Sequence, residues 1–489
     1  MPSTESLRAA AAGGTPAEYD VIVIGGGPAG ENAADYAIAG SDRTAVIVER
    51  ELVGGECSYW ACIPSKALLR PGHVLAAAQA MDGLSATGLD VESVLRRRDH
   101  FISNQDDASQ VKWARDHRIE VVRGTGRLVG ERQVEVDGRL LRARHAVVLA
   151  TGTRASVPDV PGLRDALPWI SRDATNLHEV PGRVVIIGGG VVACEAATWL
   201  ATLGADVSMI VRGKAVLASA EPFASERVLA ALRGSGVHVL LGTEPTSVHR
   251  PDAKDTGEGR IHGGPVTVRL HGAQGDTEIE ADEIIVAAGR TPATEGLGLD
   301  SVGLQDGYVQ VDDRLTARGV AGDWLYCVGD LNHRAALTHM GKYQARVCGD
   351  VIAARAEGKP LADARFTASA DHGQVPQVVY TAPEVASVGL TEAAARDAGH
   401  AVETVELDIA VAGSSLARND FAGHAKLVID TASDTLLGAT FVGPEAGEQL
   451  HAATIAVVGK VPLATLWHAV PAFPAVSEFW LRLLETRRA

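Results

Sequence analysis

Two stretches of the chain share one rhythm: an apolar, β-branched run, a glycine turn, and then an alanine-rich segment of helical character. They span Tyr19 to Gly40 and Arg183 to Gly204. Val21-Ile22-Val23-Ile24 and Val184-Val185-Ile186-Ile187 predict the strands of two strand-turn-helix units. Residues 133–150 predict a hairpin ending in Val147-Val148-Leu149-Ala150, and residues 265–288 repeat that pattern, finishing in Ile284-Ile285-Val286-Ala287. Each closes on a glycine turn, Ala150-Thr151-Gly152 in the first and Ala287-Ala288-Gly289 in the second. From about Phe366 the pattern changes to alternating β segments around Val375–Val388 and Leu437–Val442, with helices over Thr391–Gly399 and Glu445–Val458. The prediction is an α/β chain with a doubled nucleotide-binding architecture, followed by a separate α+β domain.

The glycine turns carry the first chemistry. Gly25-Gly26-Gly27-Pro28-Ala29-Gly30 matches G-x-G-x-x-G, with Gly25, Gly27 and Gly30 at its fixed positions, where backbone N–H groups and the helix dipole hold a pyrophosphate. A second strand, Ala45-Val46-Ile47-Val48, ends in Glu49, about 20 residues on, positioned to accept hydrogen bonds from ribose hydroxyls. The copy at Gly188-Gly189-Gly190-Val191-Val192-Ala193 keeps Gly188 and Gly190 and puts alanine third, which still permits close helix packing. Two bound dinucleotides are therefore expected. The strand Val207–Val211 ends in Arg212 with no carboxylate, and Lys214 follows. A permanently charged planar fork suits a 2′-phosphate, so NADPH is expected, with NADH possible.

Bulk properties narrow the partners. A chain of 489 residues supports three or four domains. A net charge of −16 argues against nucleic acid as a partner and for diffusible small-molecule substrates, so Arg96-Arg97-Arg98 reads as a solvated helix face. No window approaches the roughly 20 apolar residues of a membrane span. Residues 1–18, rich in Ala, Gly, Ser and Thr, read as a disordered leader without the features of a secretory signal, which leaves the cytoplasm as the default location. Five cysteines are too few for a secreted disulfide framework and fit one functional pair, leaving Cys194, Cys327 and Cys348 as small core hydrophobes.

That pair stands in Gly-Gly-Glu-Cys-Ser-Tyr-Trp-Ala-Cys-Ile-Pro-Ser-Lys, residues 54–66. With four residues between them, Cys57 and Cys62 can occupy successive turns of one helix face, near enough for a disulfide. A tetrahedral metal site would need two further ligands that the flanking residues do not supply, so no metal is expected.

With these motifs in order, nearly the whole chain resembles the flavoprotein disulfide reductases, among them dihydrolipoamide dehydrogenase, glutathione and mycothione reductases, and mercuric reductase. The resemblance implies a Rossmann-like FAD domain (residues 19–160, completed by 290–365), a Rossmann-like NAD(P)H domain (161–289) and a C-terminal domain (366–489) that builds a homodimer. It implies that Cys62 is the thiol against the flavin and Cys57 the interchange thiol, and that Gly55 belongs to the flavin site. Lys66 resembles the family lysine near the flavin N5, with Glu195 as its partner. Asp330, ending Trp324-Leu325-Tyr326-Cys327-Val328-Gly329-Asp330, resembles the aspartate that binds the ribityl chain. Thr338-His339 opens the helix facing the flavin pyrimidine, with His339 a structural neighbour rather than a base. Thr151-Gly152 and Gly289-Arg290 resemble the two crossovers between the nucleotide domains.

The chain departs from this family at its far end. Relatives carry His-Pro-x-x-Ser-Glu there, whose histidine serves the partner subunit's thiols as acid and base; here the stretch is Phe473-Pro474-Ala475-Val476-Ser477-Glu478. Aligned from Glu478, the histidine position holds Phe473, and the carboxylate has no imidazole to orient. Matching His468-Ala469-Val470-Pro471 instead puts Val470 there. Between the cysteines, Tyr59 and Trp60 replace small residues and either stack on a planar acceptor or pack the flavin domain. The expected function is electron transfer from NADPH through FAD and the Cys57–Cys62 disulfide to a small-molecule acceptor. The alternatives are a quinone or metal-ion reductase fed directly by the flavin, and a redox-sensing flavoprotein.

Overall fold

The computed structural model describes residues 16–273 and 275–488. Most of the expected leader lies outside the described residues, whereas positions 17 and 18 already belong to the first strand. The elements that position the site are β1 (Ala17–Ile24), α1 (Pro28–Ile38), β2 (Ala45–Glu49), α2 (Gly55–Tyr59), α3 (Cys62–Gln79), β3 (Arg139–Leu149), β4 (Arg183–Ile187), α4 (Val191–Thr202), β5 (Asp206–Val211), β6 (Leu325–Cys327) and α5 (Thr338–Ala356).

Contacts divide the chain into two compact units. The first comprises Met1–Cys62, Ile102–Arg154 and Arg290–Asp371, the second Ile63–Phe101, Ala155–Gly289 and His372–Ala489. The sequence reading puts boundaries at 160, 289 and 365, and the corresponding contact breaks follow residues 154, 289 and 371. The excursion of residues 63–101 into the second unit differs from that reading. Leu68 and Leu69 of α3 and Val94 pack in one buried cluster with Trp199 of α4, so burial assigns this segment to the second unit. The same cluster takes in Val379, Val385 and Val442, so the C-terminal domain shares a core with the nucleotide domain that precedes it.

In the first unit β1 lies between β2 and β3, all parallel, and β6 runs parallel to β3. The register pairs Ile24 with Val48 and with Leu149, and Leu149 with Cys327. All four strands therefore end level, and the loops after them emerge at one carboxyl edge, where ligands bind in open parallel sheets. The core strands read as unbroken apolar runs because both faces are covered. On one face α1 and α5 lie close together, Ala33, Ala34 and Ala37 meeting Ala345, Cys348 and Val351. Gly349 permits this approach, since a Cβ there would come 2.5 Å from the Tyr36 Cβ.

The second unit holds a four-stranded parallel sheet ordered His238–Leu241, β5, β4, Glu283–Val286. A three-stranded antiparallel sheet, Glu244–His249, Val266–Gly272 and Gly275–Ala281, flanks it in sequence. The C-terminal domain is a five-stranded antiparallel sheet whose core includes Phe441, Phe479 and Leu483. The arginine run is not wholly solvated. Arg98 is 3% exposed and donates to the carbonyls of Thr175 and Leu177, capping backbone acceptors that the fold leaves without strand partners. Among the described residues no helix is long and apolar enough to cross a membrane.

Candidate active site

The first dinucleotide turn is built by close backbone approach. Gly25 has φ +104°, and a Cβ on Gly30 would lie 1.9 Å from the Gly25 carbonyl oxygen. Gly27 also lies close to the thiol-bearing segment, because a Cβ on Gly55 would lie 2.8 Å from the Gly27 Cα. Glu49 ends β2 and accepts hydrogen bonds from the N–H groups of Gly26 (2.7 Å) and Glu51 (2.7 Å), which fix its carboxylate beside the turn. A loop without side chains at a helix N-terminus, with a carboxylate at the next strand end, fits the pyrophosphate and ribose of FAD.

The same sheet edge carries the rest of the expected flavin residues. Thr151 donates through Oγ1 to the Ala293 carbonyl (2.8 Å), and Gly152 accepts from the Ala293 N–H (3.0 Å). The Asp330 carboxylate accepts from Thr153 Oγ1 at 3.0 Å. Thr338 and His339 occupy the first turn of α5, a helix of 19 residues, and His339 is exposed.

Cys57 and Cys62 do not share a helix. Cys57 belongs to the short α2, whose C-cap Trp60 leaves helical geometry at φ −134°, and Cys62 opens α3. The expectation of one helix face is corrected accordingly: Gly54 starts α2 in the left-handed region and the chain turns again at Trp60, folding the second thiol back onto the first. A hydrogen bond to Cys62, then burial, hold the Cys57 thiol well above the usual thiol range, opposed by Thr338 and Lys342. Thr338 Oγ1 also lies 3.3 Å from Cys62 Sγ. Cys57 is thus the thiol that holds its proton the more firmly for its surroundings.

Tyr59 and Trp60 are 3% and 7% exposed and pack edge to face in a small cluster with Ile102. They are core residues and offer no stacking surface. The remaining cysteines, Cys194, Cys327 and Cys348, are buried. Burial pushes the Cys194 thiol up to about 12 and also raises those of Cys327 and Cys348.

In the second unit Lys66 Nζ meets both carboxylate oxygens of Glu195, at 2.8 and 3.1 Å. Glu195 projects from α4, is 3% exposed, and also accepts from the Tyr380 N–H at 3.0 Å. Lys66 lies 4.9 Å from the centroid of the Tyr380 ring. Breaking this pair would leave the buried Glu195 carboxylate with the Tyr380 N–H but without its cation. Gly188 approaches the Ala287 carbonyl, a Cβ there lying 2.3 Å from its oxygen, while a Cβ on Gly190 at the N-terminus of α4 would meet nothing within 4 Å. That open helix start fits a second pyrophosphate. Arg212 stands exposed immediately after β5, and Gly289 turns at φ +129°.

At the C-terminus Phe473 is 76% exposed. Glu478 accepts an ion pair from Arg482 at 2.9 Å, so its carboxylate already has a cationic partner within the chain. Sequence reasoning missed four contacts, those of Tyr380 with Lys66 and with Glu195, that of Thr338 Oγ1 with Cys62, and an ion pair joining Glu56 to Arg290. Only Glu56 left a trace, a carboxylate directly before the first cysteine.

Comparison with known proteins agrees with this architecture. Residues 19–348 match the pyridine nucleotide-disulphide oxidoreductase family and residues 375–483 its dimerisation domain. The chain is 30% identical over 475 residues to a dihydrolipoyl dehydrogenase of Chlamydia muridarum, covering 94% of this chain and 95% of the relative. It is 33% identical over 474 residues to that of Thermus scotoductus, covering 94% and 95%. A mercuric reductase of Staphylococcus aureus is 29% identical over 449 residues, covering 90% of this chain and 77% of the relative. Among solved structures, the Cu(II) complex of the HOCl-induced flavoprotein disulfide reductase RclA from Escherichia coli superposes with a TM-score of 0.79 at 22% identity, over 96% of this chain and 99% of that one. The chain belongs to the pyridine nucleotide-disulphide oxidoreductases, flavoenzymes that use FAD and a nicotinamide cofactor.

Proposed function

We propose that this chain is an NADPH:acceptor oxidoreductase in which an electron pair reaches the Cys57–Cys62 disulfide and leaves for a small oxidant other than a disulfide. The observation that carries the reading is the C-terminal segment: exposed Phe473 in the acid–base position, and Glu478 engaged by Arg482. FAD, which the Gly25–Gly30 turn, Glu49 and Asp330 would hold, would supply two-electron redox chemistry between the reduced nicotinamide and the disulfide. Cleavage of the S–S bond with that pair and one proton leaves a thiol on Cys57 and a thiolate on Cys62. Hydrogen bonding between the two sulfurs and burial keep the proton on Cys57, while Thr338 Oγ1 sits beside Cys62. Arg212 after β5 is the residue to hold a 2′-phosphate. The C-terminal domain forms a homodimer, for which the exposed Ile455 and Val458 on helix Ala446–Val458 supply apolar surface.

Thiolate attack on an external disulfide needs a proton delivered to the leaving sulfur, and a positioned acid–base group supplies about 10²–10⁴-fold. A metal ion or quinone accepts electrons without that delivery, and a mercuric reductase is among the similar proteins. The test is NADPH oxidation with lipoamide, glutathione disulfide, a naphthoquinone, Cu(II) and Hg(II), in wild type and Phe473→His. Disulfide turnover is expected to be weak in wild type and to rise in the histidine variant. Rapid lipoamide turnover by the wild type would overturn the proposal. The direct-flavin alternative loses support from the burial of Tyr59 and Trp60, and Cys57→Ser separates the two, abolishing turnover here and sparing it there.

A further inference from the structure

Two residues of α5 act on the Cys57 thiol from one face of that helix. Thr338, the first residue of α5, hydrogen-bonds Cys57 and places Oγ1 3.3 Å from Cys62 Sγ. Lys342 follows four residues later, one turn on along the same face. Met340 and Gly341 before it are buried, whereas Lys342 is exposed. Hydrogen bonding to Cys62, burial and the charge on Cys62 hold the proton on Cys57, and Thr338 and Lys342 oppose them. The same cation opposes the effect of burial on the Glu31 carboxyl of α1. On α2 itself, Glu56 precedes Cys57 and is engaged by Arg290.

We propose that Lys342 is the cation that makes the Cys57 thiolate accessible once the disulfide is reduced: as the thiol releases its proton to solvent, the ammonium group one turn along α5 stabilises the charge left on sulfur. The thiolate is the form that binds a soft metal ion or adds to an electrophile. Lys342 is a positioning residue, since it acts through Cys57. Thr338 contributes a hydrogen bond and no charge. Lys342 contributes a full positive charge from an exposed position, so its effect is Coulombic and declines as salt screens it. A residue that merely held α5 in place would not respond to salt in this way.

This inference rests on the reading of Cys57 as the outer thiol. The experiment is alkylation of the FAD-loaded, NADPH-reduced protein under anaerobic conditions by iodoacetamide, an uncharged reagent that Lys342 does not steer. Each cysteine is quantified by mass spectrometry across pH 6–10, and FAD content is measured for every variant. Lys342→Met is expected to move the pH profile of Cys57 alkylation upward and to slow the reaction at pH 7.5 by about threefold to tenfold. Lys342→Arg, which keeps the charge, should stay within about twofold of wild type. Raising sodium chloride from about 20 mM to about 0.5 M should slow wild type toward the rate of Lys342→Met and leave that variant unchanged. Equal Cys57 profiles in wild type and Lys342→Met, an equal slowing in Lys342→Arg, or a slowing that salt does not reproduce, overturns the role of Lys342 while leaving the function above intact. Alkylation of Cys62 ahead of Cys57 in the wild type overturns both.

Discussion

Glu31 shows what a single misplaced-looking side chain does to this protein. It sits in the first turn of α1, with Oε1 buried and without a hydrogen-bond partner. Burial lifts its carboxyl from the ordinary 4.5 to about 7, Glu49 adding to the rise and Lys342 on α5 opposing it; Tyr59 on α2 also feels its charge. A carboxyl whose folded pKa is raised favours the fold fully below its unfolded value and loses that contribution as pH climbs through the folded one. Between pH 4.5 and 7 the protein should therefore lose about 3 kcal/mol through this group. Glu31→Gln is expected to flatten the pH dependence of thermal unfolding between pH 5 and 8 and to be the more stable form at pH 8. Parallel curves for the two proteins would refute this. None of it was legible in the sequence, where Glu31 reads as an ordinary acidic residue favouring a helix start. The glycines, Glu49 and the cysteine pair were legible because each belongs to a local motif. Glu56–Arg290 was not, since partners 234 residues apart leave no pattern in spacing.

Among the elements, α1 and α5 bear directly on cofactor binding, because α1 starts at the phosphate turn and α5 starts at the thiols. Their approach depends on Gly349, where an added Cβ would meet the Tyr36 Cβ at 2.5 Å and the Ala37 nitrogen at 2.8 Å. Backbone cannot yield there without moving the whole of α1. Gly349→Ala should destabilise the protein by about 1–3 kcal/mol and lower its FAD content as purified. Gly234→Ala, at a helical glycine whose Cβ would meet nothing within 4 Å, serves as the control and should do neither. Unchanged FAD content and melting temperature in Gly349→Ala would show that the helices can part freely. The strand-turn-helix units could be read from apolar runs and glycines alone. The allegiance of α3 could not, because a helical pattern says that a face is buried and not which neighbour buries it; Trp199 decides that. The break between α2 and α3 was missed for a related reason, since it is set by Trp60 leaving helical geometry and finding a core, not by a proline or a run of turn residues.

For the molecule as a whole, the architecture follows from repetition: two glycine turns at the carboxyl edges of two parallel sheets, then an antiparallel domain with apolar residues exposed on one helix. The acceptor does not follow, since Phe473 and Glu478 describe what the C-terminus lacks and Arg482 what it substitutes. The histidine of Phe473→His therefore meets a carboxylate whose Oε1 is held by Arg482 and whose Oε2 is buried without a hydrogen-bond partner, and its gain should grow when Arg482 is also changed to Met. A gain that is the same with and without Arg482 would show that the ion pair yields freely.

The three silent cysteines give the protein a built-in electron meter. Cys194, Cys327 and Cys348 are sealed in the core with their thiols held protonated, so a thiol reagent applied to the folded chain sees only the pair at Cys57 and Cys62. Each NADPH equivalent retained on the disulfide should appear as two titratable thiols, and every equivalent passed to an acceptor should make two vanish. Stopping the reaction at intervals and counting thiols against NADPH consumed would then report whether a given oxidant draws its electrons through the sulfurs or bypasses them, before that oxidant's product has been identified.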